Sequence, residues 1–450
     1  MYQCHINRCG NTVSAIANLK LATSLRRLVW LLSFVPPAAL GDGQEVLTLE
    51  AAEHYALQAD PAVIASQSRA VALQEQAIAD GQLPDPTLGL GVYNLPLNDF
   101  SVSREPSTQF RTKIQQAFPR GDTLHYQQKR TEWLGKAESA QADMAKREIQ
   151  RDVRQAFFEL YYQKKAADVV AHSRALFHNL VEITRAHFAT GRVSQQDVLQ
   201  AQLELSRLDD KATQIDGNIE EQQARLTRWL DDEAWLPTDP AFPPLPDLPP
   251  LNLLSESLKG HPAIQVASAK VEANQQMIKA AREQYKPGWN VGLEYRKRFG
   301  DDPDGSSRED MMAAMVTVDL PLFTEKRQDK RLTASRQNAE AAIQIREQRL
   351  RELRRMLETN YAQWKWLGAQ EVLYHERLVT EASDSAAAAL YAYQSGTSEF
   401  NTLMRARIIE LEVKLKDLRV RVDRAKAQAR LLYLAPESNN TPLPVEGAHP

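Results

Sequence analysis

The chain has 450 residues, 43% of them apolar and 25% charged, with a net charge of −3. That balance excludes a disordered or low-complexity chain, and without a basic excess nothing points to nucleic acid as a partner. No stretch is long and apolar enough for a bilayer-spanning helix, while scarce glycine and abundant Ala, Gln, Glu, Arg and Leu favour long helices.

At the amino end, Arg26 and Arg27 precede an apolar run at residues 28–35, followed by Pro36, Pro37, Ala38, Ala39, Leu40 and Gly41. A basic flank, a short apolar core and small residues make residues 1–41 a signal peptide, with cleavage expected near Gly41. Both cysteines, Cys4 and Cys9, fall inside it. The exported chain is therefore expected to hold no disulfide, no thiolate metal site and no lipid-bearing cysteine.

Beyond that point the sequence repeats itself at an offset of about 200 residues. Asp60-Pro61-Ala62-Val63-Ile64 matches His261-Pro262-Ala263-Ile264-Gln265, and Pro86-Thr87-Leu88-Gly89-Leu90 matches Pro287-Gly288-Trp289-Asn290-Val291. Phe118-Pro119 matches Leu320-Pro321, and the pair Gly191 and Ala201 matches Gly396 and Ala406. Repeats are thus expected over 42–235 and 251–435. Between them, 236–250 contains seven prolines and should run extended. The tail 436–450 should be loose.

Within the first repeat, helical patterns lie at 61–82, 122–190 and 194–230, with strand patterns at 87–93 and 108–118. The second has helical patterns at 262–284, 325–393 and 399–434, with strand patterns at 288–296 and 311–320. The two longest helices should each reach roughly 100 Å, and each returning helix only about half of that. The shorter helices supply the missing length if they stack end to end on the returning ones. Those returning helices carry heptads. Ala201, Leu208, Ile215 and Gln222 alternate with Val198, Leu205, Ala212 and Ile219; Met404, Leu411, Leu415, Leu418, Val422 and Ala425 do the same. Such spacing implies coiled-coil packing.

All four strands alternate apolar and polar residues. Leu88 and Leu90, Phe110 and Ile114, Trp289 and Val291, and Val316 and Val318 mark one face; Arg111, Lys113, Glu294 and Arg296 mark the other. A soluble sheet packed on helices is the common reading of such a pattern. In an exported chain with helices too long to fold over four strands, the alternative is a membrane barrel shared among subunits. Three copies would supply twelve strands.

Catalytic chemistry is missing. The sequence has no phosphate-binding Gly-rich loop, no convergent triad and no metal-ligand spacing, so no enzyme, cofactor or metal site is expected. Asp209-Asp210, Asp231-Asp232 and Asp301-Asp302 are adjacent and share no helix face. His172, His178 and His187 are not one helical turn apart. Met311, Met312 and Met315 invite a soft-metal reading. At strand spacing, however, Met311 and Met315 face opposite to Met312, which fits barrel packing or lipid contact better.

With these features assembled, the chain resembles the TolC-type outer-membrane efflux proteins, most closely their heavy-metal (Czc- and Cus-type) branch. Gln82-Leu83-Pro84-Asp85-Pro86-Thr87-Leu88 and Tyr285-Lys286-Pro287-Gly288-Trp289 carry the resemblance. So does Asp319-Leu320-Pro321-Leu322-Phe323, followed by Lys326-Arg327-Gln328-Asp329-Lys330. It implies a mainly α fold with a small β part, assembled as a homotrimer in the cell outer membrane. A twelve-stranded barrel in lipid would continue into a long periplasmic α-helical coiled-coil tunnel. It also implies a passive conduit for heavy-metal cations, docked to a periplasmic adaptor and an inner-membrane pump of the resistance-nodulation-division (RND) type. The loops near 94–107 and 297–310 would face the cell exterior. Rival readings are a conduit for drugs, solvents or secreted proteins, a non-pore periplasmic coiled-coil scaffold and, more distantly, a soluble hydrolase.

The two helical turns form the tip in this resemblance. Gly191 and Gly396 suit left-handed helix ends, and Ser194 with Asp197 suits a capping box. Gly191, Val193, Ser194, Asp197, Leu199, Gly396, Ser398, Glu399 and Leu403 would meet the adaptor. Gate positions correspond to Asp197, Tyr393, Thr402 and Arg405, with Tyr393 expected to contact Asp197. Ser398 replaces the family's gate arginine, and Thr402 with Arg405 replaces its acidic ring.

Overall fold

A computed structural model of the chain describes residues 46–58 and 60–436. All of these lie in one unit, Glu45–Pro450. The expected signal peptide 1–41 with Cys4 and Cys9, and the tail from 437 onward, lie outside the described residues.

The unit is built from two copies of one helix–strand–strand–long helix–helix plan. The first copy runs α1 (Leu49–Gln58), α2 (Pro61–Asp80), β1 (Thr87–Tyr93), β2 (Gln109–Phe118), α3 (Thr123–Ala189) and α4 (Gln195–Leu230). The second runs α5 (Leu251–Ser257), α6 (Pro262–Glu283), β3 (Gly288–Arg298) and β4 (Met311–Asp319). It continues through α7 (Gln328–Leu373), α8 (Val379–Gln394) and α9 (Phe400–Leu434). Helix α3 alone has 67 residues, roughly 100 Å at 1.5 Å per residue.

Local chemistry sets the helix starts. Asp60 caps α2 by accepting from the amides of Ala62 and Val63, with Pro61 occupying the position where a missing N–H costs nothing. His261 takes the matching place in the second copy, its Nδ1 accepting from the Ala263 amide while Nε2 meets the Tyr433 carbonyl at 3.1 Å. One ring nitrogen accepts and the other donates, so the ring is neutral. Burial first, and then the charge of Arg147, lower its pKa to about 4.

Packing follows the heptads. Ala201, Leu208, Ile215 and Gln222 form the buried seam of α4, against Ala166, Val170, Phe177 and Val181 of α3. Helix α2 covers the part of α3 nearer the sheet, approaching closely at Gly135, where an added Cβ would lie 3.5 Å from the Ala70 carbonyl. The ends of α2 and α4 meet over Phe157, Phe158 and Leu160, joined by α1. Short and long helices therefore divide the length of α3 between them, as the length argument requires. In the second copy, Leu254, Leu258 and Ile264 meet Leu353, Leu357 and Leu431 in the same way.

Two features depart from the sequence reading. The short helices α1 and α5 were not anticipated. Helix α1 is held by tertiary contacts: Glu53 accepts from Arg154 of α3 at 2.6 and 2.9 Å, with both side chains buried. The second long helix, expected to be continuous, contains a π turn at Tyr374–Leu378 that has no counterpart in α3. Opposite it, α9 grips the end of α7, with Arg424 donating to Glu371 at 2.7 Å.

The four strands make one antiparallel sheet in the order β1-β2-β3-β4. The β2–β3 pairing, Gln109 with Arg298 through Phe118 with Trp289, joins the two copies. The connector 236–250 is extended, pairing Leu47 with Thr238 and placing Phe242 between Phe158 and Arg421.

The His261 cap makes stability pH-dependent. Its folded pKa lies below the ordinary value near 6.5, so its contribution is complete above that pH. It is lost as pH falls from 6.5 through about 4, by up to roughly 3 kcal/mol. Melting followed by circular dichroism should show this loss in the native protein and a flatter profile in His261→Asn, which keeps a capping side chain. Equal acid sensitivity in both would refute the assignment.

Candidate functional site

Two surfaces gather the residues singled out by the sequence. The first is the sheet. Register places Leu88, Leu90 and Val92 beside Ile114, Thr112 and Phe110. The row continues across Leu293, Val291 and Trp289 to Ala314, Val316 and Val318. This face is apolar throughout its middle and lies open: Leu88 is 65% and Val316 60% exposed. Phe110 is half-buried. The opposite face carries Gln109, Arg111, Lys113 and Gln115, then Asn290, Glu294, Arg296 and Arg298, then Met311, Met315 and Thr317. Met312 sits on the apolar face beside Tyr295. No helix covers either face, and the outer edges of β1 and β4 have no strand partner among the described residues.

At one end of the sheet the two connecting loops are tied together. Arg308 donates to the carbonyls of Ser103 and Phe299, each at 2.9 Å. Asn94 and Thr108 close the β1–β2 loop through backbone contacts at 3.1 and 2.7 Å.

The second surface is the pair of helical turns. Both end their long helix in the same way. Gly191 has φ +70° and Gly396 φ +73°. Arg192 N–H reaches the His187 carbonyl, and Thr397 N–H the Ala392 carbonyl, each at 2.9 Å. Glycine is the residue that takes this left-handed geometry without strain. The helices that follow start differently. Ser194 and Asp197 form a reciprocal capping box at α4, whereas the Glu399 side chain caps nothing at α9.

Between the turns lies a cleft lined by His187, Val193, Asp197, Tyr393, Ser398 and Glu399. Tyr393 is buried in it, with its hydroxyl 3.3 Å from His187 Nδ1 and its ring edge-on to Phe400 at 5.7 Å. Burial raises the pKa of the phenol; a hydrogen bond with Thr184 lowers it, and the charge of Asp197 raises it further. The phenol therefore stays protonated at neutral pH. Tyr393 and Asp197, expected in contact, are brought to the same cleft, where the charge of Asp197 acts on the phenol. The Asp197 carboxylate accepts from the amide and hydroxyl of Ser194 at 2.9 and 2.8 Å. His187 and Thr184 were missed, although with Leu180 they share one face of α3 at helical spacing.

Of the other tip positions, Leu199, Thr402, Arg405, Glu399 and both glycines are exposed, and Val193 and Ser398 are half-buried. Leu403 is completely buried in the α3–α4–α9 core. It packs the hairpin and presents no docking surface, because the apolar seam of α9 begins at Phe400. Among the described residues no group of three or more His, Cys, Asp or Glu is placed to hold a metal ion.

Residues 253–435 match the family model described as outer membrane efflux protein. The match covers nearly all of the second copy of the repeat. Proteins of this family are efflux proteins and not enzymes. No curated protein matches the chain. Among solved structures, a membrane protein from Pseudomonas aeruginosa is similar at a TM-score of 0.74 and 16% identity, over 86% of this chain and 89% of that one. CusC is similar at 0.73 and 15%, over 86% and 92%. The outer membrane protein VceC from Vibrio cholerae is similar at 0.71 and 18%, over 86% and 95%. At such identities the likeness is one of fold.

The unequal caps of the two turns are testable. Ser194→Ala should cost about 1 kcal/mol and speed amide exchange in the first turn of α4. Glu399→Ala should leave the first turn of α9 unchanged. Equal effects at the two turns would contradict the asymmetry.

Proposed function

We propose that the protein is the outer-membrane subunit of a tripartite efflux system, acting as a passive trimeric conduit. The observation that carries this reading is the sheet, with one open apolar face, one charged face and two bare edges. In water such a face invites aggregation, and in hydrocarbon each unpaired backbone group costs several kcal/mol. Closure with sheets from two further copies answers both demands, giving twelve strands with lipid outside and water inside. A second feature supports assembly of copies. Ile64, Val71 and Ile78 on α2 recur every seven residues and are 49%, 56% and 58% exposed. They make a coiled-coil stripe with no partner among the described residues.

In this reading the helical hairpins extend the barrel through the periplasm, and their turns meet an adaptor protein linked to an RND-type inner-membrane pump. Gly191, Val193, Ser194, Asp197, Gly396, Ser398 and Glu399 are the docking candidates. Asp197, Tyr393, Thr402 and Arg405 are candidate gate positions. The gate works through the Tyr393 cleft, where the two turns touch. Metal ions are the cargo suggested by the heavy-metal branch strings, above all Asp319-Leu320-Pro321-Leu322-Phe323. The chain has no nucleotide-binding loop, so the energy for export comes from the pump.

Purified full-length protein should behave as a trimer and give single-channel conductance in a planar bilayer. A monomer without conductance would refute the conduit. A deletion strain, complemented by the intact gene, should become selectively sensitive to copper, silver, zinc, cobalt or cadmium. Sensitivity confined to dyes and antibiotics would overturn the metal cargo alone.

A further inference from the structure

The polar face of the sheet carries more positive than negative charge. Register places Arg111, Lys113, Arg296 and Arg298 on it, against Glu294 and Asp319. Asp319 lies at the helical end, 3.9 Å from Arg120. Glu294 is shared between Arg296 at 2.7 Å and Arg111 at 3.5 Å, so two cations compete for one carboxylate. Lys113 stands directly across from Glu294 but forms no ion pair among the described residues. Arg298 spends its Nε on the Glu309 carbonyl rather than on a carboxylate. The belt therefore holds uncompensated positive charge in every chain.

We infer that this belt makes the conduit select anions over cations. The inference rests on the barrel reading, in which the polar face lines the lumen. Twelve strands spaced 4.8 Å apart and tilted near 40° close at a backbone radius of about 12 Å. Screening at 0.1 M salt acts over about 10 Å. Side chains reaching inward from three copies thus leave no point of the belt's cross-section beyond their field, and like charges repel there. The acidic turn at 299–310, with Asp301, Asp302, Asp304, Glu309 and Asp310, opposes this from the rim. Part of its charge is already answered: Asp302 lies 3.5 Å from Arg308, and Asp310 accepts from Lys297 at 3.1 Å. The belt sits in the strands themselves, where the wall is closed. A metal cargo crosses such a belt more readily as an anionic or neutral complex than as a bare divalent cation.

The experiment is a reversal-potential measurement on the full-length protein in a planar bilayer of neutral lipid under a tenfold KCl gradient. Chloride should be preferred over potassium several-fold near 0.1 M. The preference should shrink toward parity near 1 M, where screening acts over about 3 Å. The double variant Lys113→Gln/Arg298→Gln should keep its conductance and lose most of the preference. Lys113→Gln alone, at a side chain with no ion pair to break, should lose part of it. Potassium preference in the native protein would overturn the proposal and assign selectivity to the acidic rim. An unchanged preference in conducting variants would overturn it as well. Absence of any conductance would remove the conduit reading and the selectivity together, a result distinct from either.

Discussion

Backbone hydrogen bonding at the edges of a four-stranded sheet is the constraint on which the rest of the structure turns. Such a sheet always has two outer strands, and among the described residues no helix covers them. Every long helix is already committed along its length to another helix. In the proposed conduit, strands from further copies would bury these edges, and the two-sided alternation of the strands agrees with that reading. An edge left bare on an apolar strand such as β1 would be an aggregation hazard. Closure by further copies, as proposed, would remove the edge and turn the apolar face to lipid.

Duplication supplies the repeat, but the two copies have diverged where movement would matter. Both hairpins end α3 and α8 with the same glycine geometry. Only the first is locked by a capping box, and only the second carries a π turn. Ion pairs are also unequally placed. Glu159 of α3 receives Arg419 and Lys426 of α9. Burial alone would raise the pKa of its carboxyl, but these hydrogen bonds more than offset that and hold it below the ordinary range. The copies are thus bolted together by ion pairs near the middle of α3 and by an apolar core toward the turns.

Much of this was legible in the residues. The strands, the long helices and the glycine turns have strong local signals: period-two alternation, heptads and residues chosen for backbone geometry. The parts that were not legible depend on distant partners. Helix α1 is short and exists through Arg154, about a hundred positions away in sequence. The π turn sits in an unbroken helical pattern, with Glu371 and Arg424 brought together only by folding. Leu403 looked like a surface position because it follows the turn so closely, yet helical periodicity from Phe400 puts it in the seam. The capping bond of Asp197 with Ser194 was legible because it is local, whereas the place of His187 and Thr184 beside Tyr393 depends on the fold.

The connector between the repeats has a mechanical consequence. Its backbone enters beside Leu47, and Phe242 is clasped among Phe158, Tyr161 and Arg421. Further along, Gln428 donates to the Pro246 carbonyl at 2.8 Å. A proline-rich segment is already near full extension, at about 3.1 Å per residue, and has little slack to pay out. It works as an inelastic strap across α1, α3 and α9 at the level where short and long helices meet. Torque applied at the turns would be arrested at that waist before it reached the strands, so the tip could twist while the sheet kept its shape.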